Sequence, residues 1–147
     1  MATTKKCSKR GCRNPVHGRG LCLAHYRRTI TGFLSRSYSH MSERVRGVGV
    51  VPHKQKYWYG KPIMPREVFY EWSKNHPDFL RLFKRWTTAG HPKRLAPSVN
   101  RIDSSKGYTL DNVEWITQSQ NSMLASSVTH ANHEAVKEVY RLAGVSQ

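Results

Sequence analysis

Cys7, Cys12, Cys22 and His25 are the residues whose types and spacing most plainly imply chemistry. They fall in KKCSKRGCRNPVHGRGLCLAHYRR as C-x4-C-x9-C-x2-H. Thiolates and a neutral imidazole are the donors zinc prefers, and four of them close a tetrahedron. Gly11, Asn14-Pro15 and Gly18-Arg19-Gly20 supply turns between them, as a chain wrapped around a metal requires. His17 also lies between the second and third cysteines and competes as fourth ligand, but the C-x2-H spacing favours His25. Four protein ligands leave no open position, so the expected Zn2+ is structural, not catalytic. A segment this short cannot bury a core, and metal binding would supply its folding energy. Three cysteines are an odd count, which argues against a disulfide framework.

A second constellation occupies Pro97 to Ser122, PSVNRIDSSKGYTLDNVEWITQSQNS. Ser98 to Asp103, with Val99 and Ile102, suits a short strand. Ser104-Ser105-Lys106-Gly107 supplies a turn in which Gly107 is free to take φ > 0. Val113 to Ile116 is β-branched and aromatic and suits a second strand. Thr117, with Gln120 three residues on, is a capping-box pattern that opens a helix.

These residues resemble the HNH, or ββα-metal (His-Me finger), endonucleases, in a form common among phage-encoded proteins. The resemblance rests on Asn100-Arg101-Ile102-Asp103, Gly107-Tyr108, Asn112-Val113-Glu114-Trp115 and the closing Asn121. The Cys-rich start is similar to a zinc knuckle that such proteins often carry. The resemblance implies a metal-dependent DNA endonuclease or nickase. One Mg2+ or Mn2+ would sit against the scissile phosphate while a base activates water. Asn112 then corresponds to the Asn that orients the base, and Asn121 to the last metal ligand. At the first position the chain departs from the family. Where an Asp-His form has a metal-ligating Asp and a basic His, this chain has Asn100 and Arg101. Two carboxamides, Asn100 and Asn121, make a weak site for a hard cation. Arg101 is protonated at any working pH; it could grip a phosphate in place of acting as a base. His91 is the nearest His in sequence to replace it. Asp103 is expected to cap the turn, and Glu114 to face DNA or solvent. The departure supports an alternative, an HNH fold that keeps DNA binding without cleavage, as a regulator or packaging accessory.

The elements that must position these groups lie between the two constellations. Residues 29–64 are basic and poor in apolar periodicity, and Ser35 to Arg46 is expected to form one or two helical turns. The Tyr57-Trp58-Tyr59 cluster reads as a cover on the core. Val68, Phe69 and Trp72 mark a helical face behind Pro65. After Asn75-His76-Pro77, a second helix carries Phe79, Leu82, Phe83 and Trp86 at i, i+3, i+4, i+7 and stops at Gly90. These two helices are predicted to pair as a hairpin and supply most of the core. Met123 and Leu124 extend the motif helix inward. Ser126 to Thr129 reads as a linker, and Asn132 caps a last helix with Ala135, Val136, Val139, Tyr140 and Ala143 on one face.

Composition sets the partner. The formal charge is +16, which points to a polyanion. Up to Met64 the only acid is Glu43, against fourteen Lys and Arg. Arg27, Arg28, Arg36, Arg44, Arg46, Lys54, Lys56, Lys93, Arg94 and Lys106 are the candidate phosphate contacts. There is no 18-residue apolar run, no basic amphipathic helix and no signal-peptide core, so a membrane role is not expected and the chain should stay in the cytoplasm.

The reading is a small α+β protein of 147 residues. A zinc knuckle (1–28) is followed by a basic linker and DNA-contacting arm (29–64). A helical hairpin, the ββα module packed on it and a C-terminal helix complete the chain (65–147). Its expected partner is double-stranded DNA, with RNA poorly excluded and the oligomeric state left open.

Overall fold

The computed structural model of the chain describes residues 4–126. It is a mixed protein of helices and one two-stranded sheet, with a Cys/His cluster near the N-terminus. The chain divides into two compact units, Met1–Ser37 and Tyr38–Gln147. The linker and final helix expected beyond Ser126 lie outside the described residues.

The first unit is built from turns. Gly18 and Leu21 pair as a short bridge, and the Leu21 N–H donates to the Gly18 carbonyl at 2.9 Å. The two residues between them, Arg19 (φ 51°) and Gly20 (φ 76°), are both left-handed, the requirement of a type I′ turn. Helix α1 (Leu23–Arg27) follows Cys22 directly, which brings His25 back toward the cysteines. Thr29 caps the next helix: its Oγ1 accepts from the Gly32 N–H at 3.1 Å. Gly32 is required there, because a Cβ would collide with the Tyr26 carbonyl.

Helix α2 (Ile30–Arg46) has 17 residues, in place of the one or two turns expected within a basic linker. Leu34, Met41 and Val45 are buried, and Tyr38 between them is half-buried. Their spacing of four, three and four is a helical stripe. Serines, arginines and Gly32 fill the rest of the helix and dilute the stripe in the sequence.

The second unit continues with α3 (Pro52–Gln55), α4 (Arg66–Lys74) and α5 (Pro77–Thr88). Strands β1 (Pro97–Arg101) and β2 (Val113–Thr117) and helix α6 (Gln118–Ser126) follow. The strands are antiparallel, with Val99 opposite Trp115, Asn100 opposite Glu114 and Arg101 opposite Val113. Helices α4 and α5 pack on each other, α5 on both strands and α6 on both strands. Trp115 is fully buried. Around it lie Phe79 at 4.6 Å, Phe69 at 5.9 Å and the near-parallel ring of Trp72 at 6.0 Å. The hairpin thus supplies the core as expected, with Leu82 and Trp86 also buried. Two positions differ. Val68 is 37% exposed because the inward face of α4 is Phe69, Trp72 and Ser73. Met123 is 50% exposed, and only Leu124 of that pair turns inward.

Candidate metal centre and nucleic-acid cleft

The ligand atoms of Cys7, Cys12, Cys22 and His25 all lie within 4.8 Å of one another. The His25 Nδ1 is 3.3 Å from both the Cys7 and Cys22 Sγ atoms, and the Cys12 and Cys22 sulfurs are 3.9 Å apart. A tetrahedron with zinc–sulfur bonds of about 2.3 Å sets sulfurs roughly 3.8 Å apart. The cluster therefore fits a metal such as zinc. His17 stands outside it, with its ring against Tyr26 at 5.4 Å. Burial pushes the Cys7 thiol up, but the backbone N–H groups of Cys22 and Lys9, the His25 ring and Cys12 outweigh it. The thiol lies at about 6 against an ordinary 9.0. Cys12 moves the other way. The Asn14 backbone N–H lowers it, and burial with the crowding of Cys7 and Cys22 prevails to raise it.

The second site is a cleft of about 630 Å³ in the Tyr38–Gln147 unit. Local structure builds its floor. β1 delivers Asn100 and Arg101, and α6 delivers Asn121 and Gln118. The start of α6 is fixed by a reciprocal capping box. The Gln120 N–H donates to Thr117 Oγ1 at 3.1 Å, and the Thr117 N–H donates to Gln120 Oε1 at 2.9 Å. Asn112, 4% exposed, staples the inter-strand loop. Its Nδ2 donates to the Gly107 and Asp103 carbonyls at 2.8 and 3.0 Å, and its Oδ1 accepts from the Asp103 N–H at 2.8 Å. Asp103 caps the turn as expected, accepting from the Ser105 N–H at 2.9 Å and its hydroxyl at 2.6 Å. Those two Ser105 bonds hold its carboxyl below the usual range. Gly107 serves differently from expectation. Its φ is not positive; a Cβ there would run into the Pro62 carbonyl, where the 57–64 segment docks on the loop.

Arg101 lines the cleft and is only 6% exposed. Its Nη1 donates to the Tyr57 carbonyl at 2.6 Å and the Lys106 carbonyl at 2.9 Å. Its guanidinium lies over the rings of Trp58 (5.4 Å) and Tyr108 (5.6 Å). Carbonyl dipoles and ring quadrupoles thus solvate a buried charge that has no carboxylate partner among the described residues. Burial, and behind it Arg44, pulls its proton affinity below that of a free guanidinium, with Tyr108 and Asp103 opposing. Arg44 shares the Trp58 ring at 5.6 Å and donates to the Tyr108 hydroxyl at 3.2 Å. Lys61 adds a second cation to the Tyr57 carbonyl at 2.7 Å. Tyr57 and Trp58 are half-buried and line the cleft, in place of the cover on the core expected of the cluster, and Tyr59 is 64% exposed.

Both carboxamides expected to bind a divalent ion line this cleft. Asn100 Nδ2 donates to Glu114 Oε1 at 2.8 Å, and Asn121 Nδ2 donates to Ser98 Oγ at 2.7 Å and the Val99 carbonyl at 3.3 Å. Glu114 is therefore engaged with Asn100 on the sheet. His91 does not line the cleft; its ring packs edge-on against Trp86 at 4.5 Å. Among the described residues that line the cleft there is no Asp, Glu or His. Of the candidate phosphate contacts, Arg44 and Lys54 line it. Arg27, Arg28, Arg36, Arg46, Lys56, Lys93, Arg94 and Lys106 are exposed elsewhere. Sequence reasoning missed the partnership of Trp58 and Tyr108 with Arg101, which no local spacing announces. Among the described residues no helix is long and apolar enough to cross a membrane.

No family model matches the chain, and neither does any curated protein or solved structure.

Proposed function

We propose that this protein binds DNA through an HNH-type ββα module that grips phosphate without hydrolysing it at an appreciable rate. The observation that carries this reading is Arg101. It stands where the resembled family has its general base. It is a cation held by two carbonyls and two rings, and it cannot take a proton from water. The lining of the cleft supports the same reading. Arg44, Lys54 and Arg101 face no acid among its described residues, and such a site attracts phosphate while repelling a second cation. The exposed cations of both units supply further phosphate contacts. In the first unit the cluster of Cys7, Cys12, Cys22 and His25 would hold Zn2+ in a structural role.

A second reading, slow metal-dependent nicking, has one observation in its favour. The amide nitrogens of Asn100 and Asn121 are spent on protein acceptors, which leaves each Oδ1 as a possible ligand for Mg2+ or Mn2+. The test is binding and plasmid nicking measured together, with Mg2+, Mn2+ or chelator. Salt-sensitive duplex binding without nicking is expected. Metal-dependent nicking that disappears in Asn121→Ala would replace the first reading with the second. Absence of any binding at low salt would remove both.

A further inference from the structure

We infer that the cleft around Arg101 takes a phosphomonoester dianion with its nucleoside attached: the 5′-phosphorylated end of a strand or a free nucleotide. The inference rests on the DNA-binding reading and narrows what occupies this site.

Four observations carry it. First, the site is concave. Its roughly 630 Å³ falls inside the range of about 300–1,000 Å³ typical of pockets that enclose a small ligand, whereas contact with an internal phosphate of a duplex needs only a surface. Second, two guanidiniums, Arg44 and Arg101, are drawn to one Trp58 ring. Lys54 joins them in the lining, and the described lining contains no acid. Like charges held together are best relieved by an anion of more than one charge. A terminal phosphate carries about 1.5 to 2 negative charges near neutral pH, against one for an internal diester.

Third, the fold leaves donors for it. Arg101 commits only Nη1 to carbonyls, and Arg44 only Nη1 to the Tyr108 hydroxyl. Nε and Nη2 of each make no hydrogen bond among the described residues. This is the pattern for bidentate phosphate recognition. Fourth, the remaining lining suits a nucleoside. Tyr57 and Trp58 are half-buried rings. Asn100 and Asn121 keep carboxamide oxygens that can accept from a base, and Gln118 adds a third carboxamide to the lining.

The experiment measures binding of one short oligonucleotide carrying either a 5′-phosphate or a 5′-hydroxyl, with AMP as competitor and duplex binding as control. Trp58 is the tryptophan in the lining, so its fluorescence quenching reports occupancy, and Trp58→Phe removes that signal. A preference for the phosphorylated end of about tenfold or more is expected. It should fall below twofold in Arg44→Gln. It should also fall in Lys54→Gln, whose side chain is exposed and which therefore tests the site without disturbing the fold. Competition by AMP at comparable concentration would assign the site to free nucleotides; its failure would assign it to strand ends. Equal affinity for both oligonucleotides, with duplex binding intact and no binding of AMP, overturns the inference and leaves the DNA-binding reading standing. Loss of all nucleic-acid binding and of AMP binding overturns both.

Discussion

The Cys/His cluster and the Arg101 cleft obey opposite rules. The cluster gathers four ligands within 19 residues of chain, and their geometry already has the separations a metal dictates. Its chemistry is set by which atoms coordinate, so residue type and spacing nearly define it. The cleft is lined from two antiparallel strands, the loop between them and the helix that follows, and no short-range spacing sets its chemistry. What Arg101 does is decided by Tyr57, 44 residues away, and by the rings of Trp58 and Tyr108. A motif's frame and its chemistry are therefore separable: the frame is held by Asn112, Thr117 and Gln120, and the chemistry by whatever packs around Arg101.

Loss of the metal should disturb the molecule most. Cys22→Ser, or a strong chelator, should unfold the Met1–Ser37 unit, because structural zinc contributes on the order of 10–16 kcal/mol to such segments. Loss of dispersed amide signals for His25, Tyr26 and Thr29 checks this by NMR. The four tryptophans, 58, 72, 86 and 115, all belong to the other unit, and their fluorescence should not report the change. Zinc content of one ion per chain in the native protein, absent in the variant, completes the measurement. A cluster whose signals survive chelation would be a set of packed thiols held without a metal.

A smaller effect breaks the frame. Asn112→Ala removes three side-chain hydrogen bonds and leaves the buried Gly107 carbonyl and the Asp103 N–H unsatisfied. The cost should be about 2–4 kcal/mol, a fall in Tm of roughly 10–20 °C. Asn112→Asp keeps the acceptor for the Asp103 N–H but sets a buried carboxylate oxygen against the Asp103 and Gly107 carbonyls, and should cost at least as much near neutral pH. Calorimetry measures both variants. A fall of only a degree or two for Asn112→Ala would mean that the loop is held by the docking of Pro62 and Lys61, not by Asn112.

The same contrast explains what was legible in the sequence. Short-range signals were readable because their partners are neighbours: the C-x2-H pair, the Thr117–Gln120 capping box, the Asp103 turn and the α5 stripe. Helix α2 was not readable, since its apolar residues Leu34, Met41 and Val45 are sparse among serines and arginines. The need for Gly107 is not legible locally, because the carbonyl it must clear belongs to Pro62, distant in sequence. The site's electrostatics were the least readable part. The Arg44–Tyr108 contact spans 64 residues, and only the fold makes it.

Loss of surface cations should change affinity modestly and leave the fold intact. Arg27 and Arg28 are exposed at the end of α1, with no acid on that helix. Each would neutralise a phosphate wherever DNA passes, so replacing both with Ala should reduce the slope of log K against log salt by about 1.8. The loss should be the same for every duplex sequence, because phosphate contacts carry no base information. It should also be the same for oligonucleotides with either 5′ end. Arg44→Gln is the control with the opposite signature: a modest change in salt slope, since one cation is removed, and a large change in end discrimination. Titrations of both variants across a salt series therefore separate a surface cation from a site cation. A change in sequence or end preference on replacing Arg27 and Arg28 would instead assign reading of the ligand to the first unit. The division of labour between cluster and cleft would then have to be redrawn.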